Sequence, residues 1–529
     1  MDKIKKFSEL HIGDKMGKLC EKGYIIIGKD AEYVLPEYCN EWKKSNIMNF
    51  SFYIHPRQEL FYFKNNGEAF FLIGHTYNPY TYSFKEEEIL NQWVNAAKIG
   101  ENEELDYINS VTGLYLMGKI TENTISVFLD CSGMMSGYYG ILKRTVMISS
   151  HTALFREVFD LQQSEYVKEL LSDRFYHLYG GFLPGDISPY DNVYRIVPNT
   201  IVNIDTVNYK TDIKRFYPNR PINRIVSEEE YQKQIEKIAD VFKKSMELIS
   251  LKWKKPALSL TGGMDSKTTL SAANGMYDKF HCYSYISSEA EKIDANAANK
   301  ICKAINVNHR IYQIETQTNN QNEYQIVREI LQYNNDYIDE NNANDVCKRM
   351  FFDETQDFDI EVKSWVSEIA RANYYKKFGK KKMPKDISPR RCSSMYKIFL
   401  TNRSLLKKTD NVFRQYIEKT CLKQHLYNLD WSDIFLWEIR YGSWGGLVIT
   451  SEHKYSYDIT IPYNNRKLLE LMLSVDLVKR RKDILHNDLI KKMNIGIYDT
   501  GITIVNLNET KFREVCEKIY FNINTHLPF

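Results

Sequence analysis

Hydrophobic and polar positions divide the chain into two parts with different periodicities. In the first part, up to about residue 215, short aromatic and β-branched runs are separated by Asn, Gly and charged residues. These runs are SFYIH (51–55), LFYFK (60–64), EAFFLIGH (68–75), GLYLMG (113–118), ISVFLD (125–130) and TVMISS (145–150). With KNNG (64–67) and KITEN (119–123) as hairpin signals, they predict antiparallel sheet. Helical spacing is found near 86–98 and 152–171.

The pattern changes at residues 215–230. Two prolines in RFYPNRP (215–221) are followed by Ser227, which predicts a helix N-cap before apolar residues at helical spacing. Strand-like runs then alternate with helical patterns, and these runs are ALSL (257–260), FHCYSYIS (280–287) and RIYQI (310–314). Such alternation predicts a parallel sheet covered by helices on both faces. We therefore predict two domains of an α/β protein, residues 1–215 and 216–529.

Composition narrows the environment of the protein. The chain has 529 residues, of which 43% are hydrophobic and 26% charged, as in a globular protein. The 71 Lys and Arg residues nearly balance the 68 Asp and Glu residues, so bulk charge indicates neither nucleic acid nor membrane as a partner. The nine cysteines show no C-x-x-C spacing, and no apolar run reaches the roughly 18 residues of a membrane span. We expect reduced thiols and a cytoplasmic location.

One turn carries the strongest sign of chemistry. The stretch LSLTGGMDSKTTL (258–270) joins an apolar run to a helical pattern through small and polar residues. A turn without bulky side chains lets backbone N–H groups and the helix N-terminus approach an anion. We expect phosphate or pyrophosphate there, with Thr261 and Ser266 donating hydroxyl hydrogen bonds. Because Asp265 repels phosphate, it implies a cation between them, which we expect to be Mg²⁺.

This turn resembles the S-G-G-x-D-S pyrophosphate loop of the N-type ATP pyrophosphatases, with Thr261 at the first serine. The segment 280–314 is similar to the next strand, helix and strand of asparagine synthetases, with Asp294 and His309 as its later markers. The resemblance implies that Tyr285 makes the adenine contact and that ATP is the cofactor. The residues expected to bind it are Ser259, Leu260, Thr261, Gly262, Gly263, Asp265, Ser266 and Tyr285.

Two later segments extend the resemblance. YSYDITIPYNNRKLLELMLS (455–474) is similar to the v-E-x-R-v-P-F-l-D segment of asparagine synthetases, with Asp458 in place of the Glu and Thr460 in place of the Arg. RKDILH (481–486) is similar to their K-x-x-L-R, which implies that Lys482 is the catalytic lysine that stabilises negative charge in the transition states. The alternative is that Lys482 is a solvated charge.

The second phosphate and metal motif of the family, S-G-E-G-x-D-E, is altered. Residues 362–372 read VKSWVSEIARA, in which Glu368 matches the final acid and Ser367 replaces the Asp. Lys363 and Trp365 replace glycines that allow close backbone approach. We expect Asp265 and Glu368 to hold Mg²⁺ together with phosphate oxygens, or else the site is weakened.

The first part of the chain resembles a class II glutamine amidotransferase domain, an antiparallel αββα fold of the N-terminal nucleophile type. The matching segments are LIGHTYNP (72–79), FLDCSGMMSGYYG (128–140) and MISSHTALF (147–155). Glutamine hydrolysis in that family needs an N-terminal cysteine, whereas Asp2 follows the first Met here. Cys20 and Cys39 would serve only after a cleavage. The resemblance therefore implies a degenerate domain without glutaminase activity, similar to β-lactam synthetases and lasso-peptide cyclases.

Together these features predict an ATP-dependent amide ligase that forms an acyl-adenylate and releases AMP and pyrophosphate. The expected partners are a small-molecule or peptide carboxylate and an amine, without nucleic acid or membrane, and a homodimer is left open. One alternative is ammonia-dependent asparagine synthesis, and another is a catalytically inactive scaffold or binding protein. RNA modification is a third alternative, supported only by basic residues such as those in GKKKMPKDISPRR (379–391).

Overall fold

The computed structural model describes residues 4–29, 31–173, 176, 181–316, 320–338, 343–355, 357–378, 384, 386–396, 402–504 and 511–526. Residues 379–383 and 385 of the basic stretch, on which the RNA alternative rests, lie outside these ranges. In the part of the chain that is described, no helix combines the length and the apolar character that a membrane crossing requires.

The strands within these ranges form three sheets. They are β1 (Tyr24–Gly28), β2 (Lys43–Ile47), β3 (Phe50–Ile54), β4 (Leu60–Asn65), β5 (Glu68–Tyr77), β6 (Thr112–Ile120), β7 (Thr124–Leu129), β8 (Tyr138–Leu142), β9 (Thr145–Ser149), β10 (Val193–Arg195), β11 (Thr200–Asp205), β12 (Lys210–Arg215), β13 (Pro256–Ser259), β14 (His281–Ile286), β15 (Arg310–Gln313), β16 (Ile360–Val362) and β17 (Asp458–Thr460).

Helices connect and cover these sheets. They are α1 (Glu86–Ile99), α2 (Glu101–Ser110), α3 (Thr152–Phe159), α4 (Glu165–Ser172), α5 (Glu228–Lys252), α6 (Met264–Ala272), α7 (Glu289–Ala304), α8 (Gln321–Asn335), α9 (Ala343–Glu354), α10 (Asn373–Lys377), α11 (Pro389–Tyr396), α12 (Arg403–Lys419), α13 (Trp431–Phe435), α14 (Gly446–Val448), α15 (Lys454–Ser456), α16 (Arg466–Leu473), α17 (Leu477–Arg481), α18 (Ile484–Met493), α19 (Ile495–Asp499) and α20 (Lys511–His526). The stretch from α13 to α15 is continuous and is π-helical at Leu436–Gly445 and Ile449–His453.

Two antiparallel sheets of six strands each make up the first part of the chain. Their strand orders are β10-β8-β9-β1-β3-β2 and β12-β11-β7-β6-β5-β4. The six apolar runs identified in the sequence lie in β3 to β7 and β9, and the KNNG turn joins β4 to β5 with Asn66 and Gly67 at positive φ. The prediction of antiparallel sheet is therefore confirmed.

Helices cover the outer faces of these two sheets. Rings from β3 and β5 meet between the sheets at a centroid distance of 5.0 Å. In β1, Ile26 belongs to this inner core, whereas the adjacent Ile25 belongs to a second core that contains Phe155 of α3. On the other side, Trp93 of α1 meets Phe70 of β5 at 4.9 Å. The resulting order of layers, helix, sheet, sheet and helix, is the one expected from the sequence.

The third sheet is parallel, in the order β15-β14-β13-β16-β17. The chain moves from β13 through β14 to β15 on one side and then returns to β16 on the other side of β13. The point between β13 and β16 is therefore the topological switch point of the sheet. α7 packs on β14, and Phe352 of α9 meets Tyr283 of β14 at 5.8 Å. The prediction of a parallel sheet in the second part is confirmed.

The two parts of the chain are closely joined. β12 ends at Arg215 and α5 begins at Glu228, where Ser227 and Glu230 form a capping box. The segment after β17 inserts into the first part, since Arg466 Nε donates to Asn199 Oδ1 at 2.8 Å and its side chain is fully buried. Because one hydrophobic core runs through both parts, the boundary between residues 215 and 216 stays a prediction.

Candidate functional site at the edge of the parallel sheet

The carboxyl ends of β13 and β16 open on a cavity of about 300 Å³. Leu260 and Thr261 follow β13, Lys363 and Trp365 follow β16, and all four residues line the cavity. Parallel strands present their carboxyl ends at one edge of the sheet, and open parallel sheets bind ligands at the switch point along this edge. The volume is at the lower end of the range of small-molecule sites.

The turn after β13 is held together by its own hydrogen bonds. Thr261 N donates to Ser266 Oγ at 2.9 Å, and Ser266 Oγ donates back to Thr261 O at 3.0 Å. Gly263 N donates to Thr261 Oγ1 at 3.1 Å, and Gly262 N donates to Asp294 Oδ1 at 3.3 Å. The amides that the sequence suggested for anion binding therefore already have acceptors. An anion would bind there by replacing the hydroxyl and carboxylate groups.

The start of α6 gives the cavity a favourable place for negative charge. Gly263 is the N-cap, and no side chain of the described residues caps the helix. The first-turn amides of a helix have no acceptor within the helix, and its dipole attracts anions to this end. Gly263, Asp265 and Ser266 all line the cavity. The predicted anion site therefore stays a prediction for the helix end, whereas the amides of the turn itself already have acceptors.

Gly262 is required by packing as well as by any ligand. A Cβ at this position would lie 2.0 Å from Ile504 Cδ1 and 2.7 Å from Ala297 Cβ. The turn is thus pressed between α7 and the segment that follows α19. The small residue was interpreted from the sequence as space for a phosphate, but the structure shows that neighbouring side chains take the space on this side of the turn.

Asp265 lies in an ionic cluster. Arg371 Nη1 donates to Asp265 Oδ2 at 2.5 Å, and Ser367 Oγ donates to Asp265 Oδ1. Both donors come from the 3₁₀ turn Ser367–Arg371. Arg371 also donates to both oxygens of Asp483, from Nε at 2.8 Å and from Nη2 at 3.1 Å. Although burial opposes it, the charges of Asp265 and Asp483 keep the pKa of Arg371 above its ordinary value.

Glu368 also lines the cavity, and its surroundings favour the protonated form. Burial is the main cause that raises the pKa of Glu368, and the nearby charge of Asp265 adds to it. Tyr441 OH donates to Glu368 Oε2 at 2.9 Å. Tyr441 belongs to the π-helical part of the stretch between α13 and α14, and such irregular helices are frequent at functional sites.

Asp265 and Glu368 face one cavity, but their surroundings do not fit Mg²⁺. A metal ion bound to Asp265 would have to displace the Arg371 guanidinium or share its carboxylate with it. The raised pKa of Glu368, caused first by burial, is the opposite of what a metal-binding carboxylate needs. Among the described residues, no group of three or more His, Cys, Asp or Glu side chains is arranged to hold a metal ion. We therefore derive no step that passes through a metal.

Lys363 is the lysine that lines the cavity. Its ammonium lies 3.0 Å from Glu361 Oε1, and the side chains are 8% and 0% exposed. Burial lowers the pKa of Lys363, whereas the charge of Glu361 opposes this effect. The ammonium also lies 5.2 Å from the centre of the Trp365 ring, which stacks on Trp444. Lys363 was noted in the sequence only as a replacement for a glycine.

Lys482 does not reach this cavity. It is exposed and directly follows α17, outside the residues that line the site. The next residue, Asp483, has a φ of +57° and directs its carboxylate to Arg371 and Lys376. The acid therefore faces the cluster, and the lysine expected to be catalytic lies in solvent. The catalytic role that the sequence motif suggested for Lys482 stays a prediction, which this placement does not support.

Asp458 lies at the opposite edge of the sheet. It is the first residue of β17 and pairs with Ile360, the first residue of β16. Its carboxylate lies 2.9 Å from the Lys22 ammonium and faces another cavity of about 380 Å³, which His75 also lines. Because the candidate site is at the carboxyl ends of the strands, Asp458 is not brought together with Asp265. The expected catalytic role of Asp458 also stays a prediction, and its position at the other cavity does not support it.

The remaining predicted positions lie around the β14 side of the cavity. Tyr285 lines it, and the Lys348 ammonium lies 5.2 Å from the centre of the Tyr285 ring. Ser259 and Asp294 line it too. His309 lies behind the cavity, with Nε2 at 2.9 Å from Ser284 Oγ. The predicted nucleotide contacts are thus grouped at one place, except that Gly262 faces Ile504 and Ala297.

Sequence reasoning missed the roles of Arg371 and Tyr441. Arg371 lies four residues after Ser367, which replaces the Asp of the family motif. The sequence therefore did contain an indication, a basic residue close to the position of a replaced acid. Tyr441 comes from a helical stretch about 70 residues later, and nothing in its local pattern points to the cavity. The carboxyl-edge rule for parallel sheets would have found Lys363, because it directly follows a strand.

Comparisons with known proteins give only distant similarity. No family model matches the chain, and no curated protein matches it in sequence. The solved glutamine phosphoribosylpyrophosphate amidotransferase from B. subtilis, complexed with ADP and GMP, is similar with a TM-score of 0.22 and 11% identity, over 56% of this chain and 60% of that one. A structure described as the allosteric regulatory enzyme of purine biosynthesis has a TM-score of 0.23 and 12% identity, over 46% and 55%.

The chain thus spans less than two thirds of either solved structure. Similarity at this level carries no argument about activity. The resemblance to asparagine synthetases remains a prediction from the motifs, and the function is argued below from the cavity itself.

Proposed function

We propose that the cavity binds ATP and that the protein is an AMP-forming amide ligase of the asparagine synthetase kind. The observation that carries this proposal is the position of the turn Thr261–Ser266. This turn and the uncapped start of α6 face a cavity at the switch point between β13 and β16. Nucleotides in open parallel sheets bind at this position, with their phosphates at a helix N-terminus.

The shape of the cavity suggests an orientation for the nucleotide. The phosphates lie toward the hydroxyl groups of Thr261 and Ser266 and the first turn of α6. The adenine lies toward Tyr285 on β14, where the aromatic ring gives an apolar surface. The substrate carboxylate then approaches from the β16 side, past Lys363 and Trp365, which line the remaining wall.

In the proposed reaction, a carboxylate oxygen attacks the α-phosphorus of ATP, and pyrophosphate leaves. An amine then attacks the acyl carbon of the acyl-adenylate, and AMP leaves. Lys363 supplies the fixed positive charge that the sequence motif assigned to Lys482, because its ammonium is held at the cavity wall. Glu368, whose carboxylate also lines the cavity, is proposed to accept the proton of the attacking amine in its ionised form.

The substrates are a small-molecule or peptide carboxylate and an amine. The chain is proposed to use an amine that is already present and not to hydrolyse glutamine itself. A second function, a nucleotide-binding protein without catalysis, is favoured by two observations. Lys482 lies in solvent, and the carboxylate of Asp265 is already bound by Arg371 and Ser367.

Pyrophosphate exchange tests the ligase proposal. The full-length protein is incubated with ATP, labelled pyrophosphate and a panel of carboxylates, and label in ATP is measured. Thr261→Val and Ser266→Ala are expected to reduce exchange at least about tenfold, because each removes a hydroxyl group near the phosphates. Ser250→Ala, a serine on α5 whose hydroxyl donates to Glu247 O, is the matched control.

The outcomes separate the proposed functions. If the protein forms AMP from ATP when aspartate and ammonium are the only other substrates, the reaction is asparagine synthesis. If ATP binds by calorimetry but no carboxylate supports exchange, the non-catalytic binding function is supported. The absence of any ATP binding would rule out both functions.

A further inference from the structure

We infer that Arg371 takes the place of a divalent cation beside Asp265, so that the cavity binds ATP equally well without Mg²⁺. This inference rests on the proposed nucleotide site and concerns how that site tolerates the charge of the phosphates. The sequence predicts a metal ion beside Asp265, whereas the structure places hydrogen-bond donors around its carboxylate.

The Asp265 carboxylate has no oxygen that lacks a donor. Arg371 Nη1 donates to Oδ2 at 2.5 Å, and Ser367 Oγ donates to Oδ1. His486 Nε2 lies 3.9 Å from Oδ1 on a further side. The guanidinium neutralises the carboxylate directly, which is the effect that a bound cation would have on an acid beside phosphate.

Arg371 is fixed in this position by a second acid. Asp483 accepts two hydrogen bonds from Arg371, at 2.8 Å from Nε and at 3.1 Å from Nη2, and Lys376 Nζ lies 2.5 Å from Asp483 Oδ1. Such a two-point contact is geometrically specific. Two acids and two basic groups thus balance in the cluster, and the guanidinium cannot turn away from Asp265 without losing these bonds.

The other charged groups at the cavity agree with this assignment. Lys363 is paired with Glu361 on the β16 side, and Lys348 is paired with Glu291 near Tyr285. Glu368 accepts a hydrogen bond from Tyr441. Arg371 is therefore the basic group that neutralises the acid in the first turn of α6. A cation bound at Asp265 would be repelled by the positive charge of Arg371.

Calorimetry of ATP binding to the full-length protein, in EDTA and in excess Mg²⁺, tests the inference. The dissociation constants in the two buffers are expected to agree within about threefold. Asp265→Asn is expected to strengthen ATP binding in EDTA, since it removes a negative charge beside the phosphates. If Asp265 instead bound Mg²⁺, the same variant would abolish a binding that depends on the metal.

Arg371→Met provides the reverse test. In this variant the negative charge of Asp265 is no longer neutralised. ATP binding in EDTA is therefore expected to weaken at least about tenfold, and Mg²⁺ is expected to restore part of the affinity. Arg371→Lys keeps the charge, and Arg414→Met, an exposed residue on α12, is the matched control. Circular dichroism and thermal unfolding establish that the variants are folded. If Arg371→Met does not fold, the inference is still tested by the dissociation constants of the wild-type protein in the two buffers and by ATP binding of Asp265→Asn.

The results distinguish this inference from the proposed function. Binding by the wild-type protein only in Mg²⁺ would keep the nucleotide site and overturn the role of Arg371. Binding in neither buffer would overturn the nucleotide site and this inference with it. Equal binding in both buffers, together with the loss in Arg371→Met, would support it.

Discussion

Lys363 and Glu361 form an ion pair that is almost completely removed from solvent. The distance between Nζ and Oε1 is 3.0 Å; Glu361 lies within β16, and Lys363 directly follows this strand. Breaking a buried pair from one side leaves an uncompensated charge and costs about 3–5 kcal/mol of stability. A test of Lys363 in catalysis must therefore separate loss of chemistry from loss of fold.

We predict that Lys363 and Lys482 differ sharply in their effect on pyrophosphate exchange. The double variant Glu361→Gln, Lys363→Met removes both charges of the buried pair and is expected to lower exchange at least about a hundredfold. Lys482→Met is expected to stay within about twofold of wild type, because its side chain is in solvent. Exchange rates are measured beside thermal unfolding of each variant. A large loss in Lys482→Met would restore the assignment from the motif.

At the residue scale, sequence reasoning located the turn that lines the cavity but not the residues around it. Thr261, Asp265 and Ser266 lie at the predicted cavity, because a strand, a small-residue turn and a helix are adjacent in the chain. Lys482 and Asp458 lie elsewhere. Their positions depend on a left-handed residue at Asp483 and on strand register in β17, and no local pattern of side chains specifies either feature.

At the scale of elements, the turn before α6 contains two adjacent glycines in different environments. A Cβ on Gly262 would lie 2.0 Å from Ile504 Cδ1, whereas a Cβ on Gly263 would have Thr261 Oγ1 at 3.1 Å as its neighbour. Gly262 therefore sets how closely the turn approaches α7 and the segment after α19. Gly263 lies on the side that faces the cavity.

We predict that Gly262→Ala destabilises the protein more than Gly263→Ala. Overpacking of a buried contact costs about 1–3 kcal/mol, and the added methyl group at position 262 would push Ile504 away from the turn. The alanine at position 263 should cost less than about 1 kcal/mol, because only a hydroxyl group must move. Urea unfolding of both variants measures the difference. Equal stability would show that the turn can shift without cost.

The elements themselves were predictable where their patterns are long. Runs such as EAFFLIGH specify strands through their own residues, and Ser227 with Glu230 specifies the start of α5. β16 and β17 have three residues each, which is too short for a periodic signal. Their place in the sheet is set by tertiary pairing, of β16 with β13 and of β17 with β16. The π-helical stretch Leu436–Gly445 contains the poor helix formers Gly442 and Gly445, and no pattern of its residues specifies its backbone type.

For the whole molecule, buried histidines in the first part predict the dependence of stability on pH. Burial lowers the pKa of His151 to about 3 and that of His55 to about 4, from an ordinary value of 6.5. In the unfolded chain both residues take up a proton as the pH falls below this value, but in the folded chain they remain neutral. The contribution to stability is therefore complete above pH 6.5 and is lost as the pH falls to about 4 for His55 and to about 3 for His151.

We predict that the free energy of unfolding falls steeply from pH 6.5 to pH 5, by roughly 1.4 kcal/mol per pH unit for each such histidine. His151→Asn should reduce this slope by the amount that corresponds to one proton, roughly 1.4 kcal/mol per pH unit, since the side chain no longer titrates. Urea unfolding at several pH values gives the slope, and His11→Asn, at an exposed position, is the matched control. A slope unchanged by His151→Asn would show that the imidazole is protonated in the folded state.

The insertion of Asn464, Asn465 and Arg466 into the first part has a consequence for evolution. These three side chains are fully buried, and their acceptors are backbone and side-chain oxygens of residues 110–130 and Asn199. Neither part of the gene could be lost, exchanged or fused elsewhere without depriving a guanidinium and two amides of their acceptors. The first part of the chain would then be inherited together with the second part because neither part has a complete core without the other.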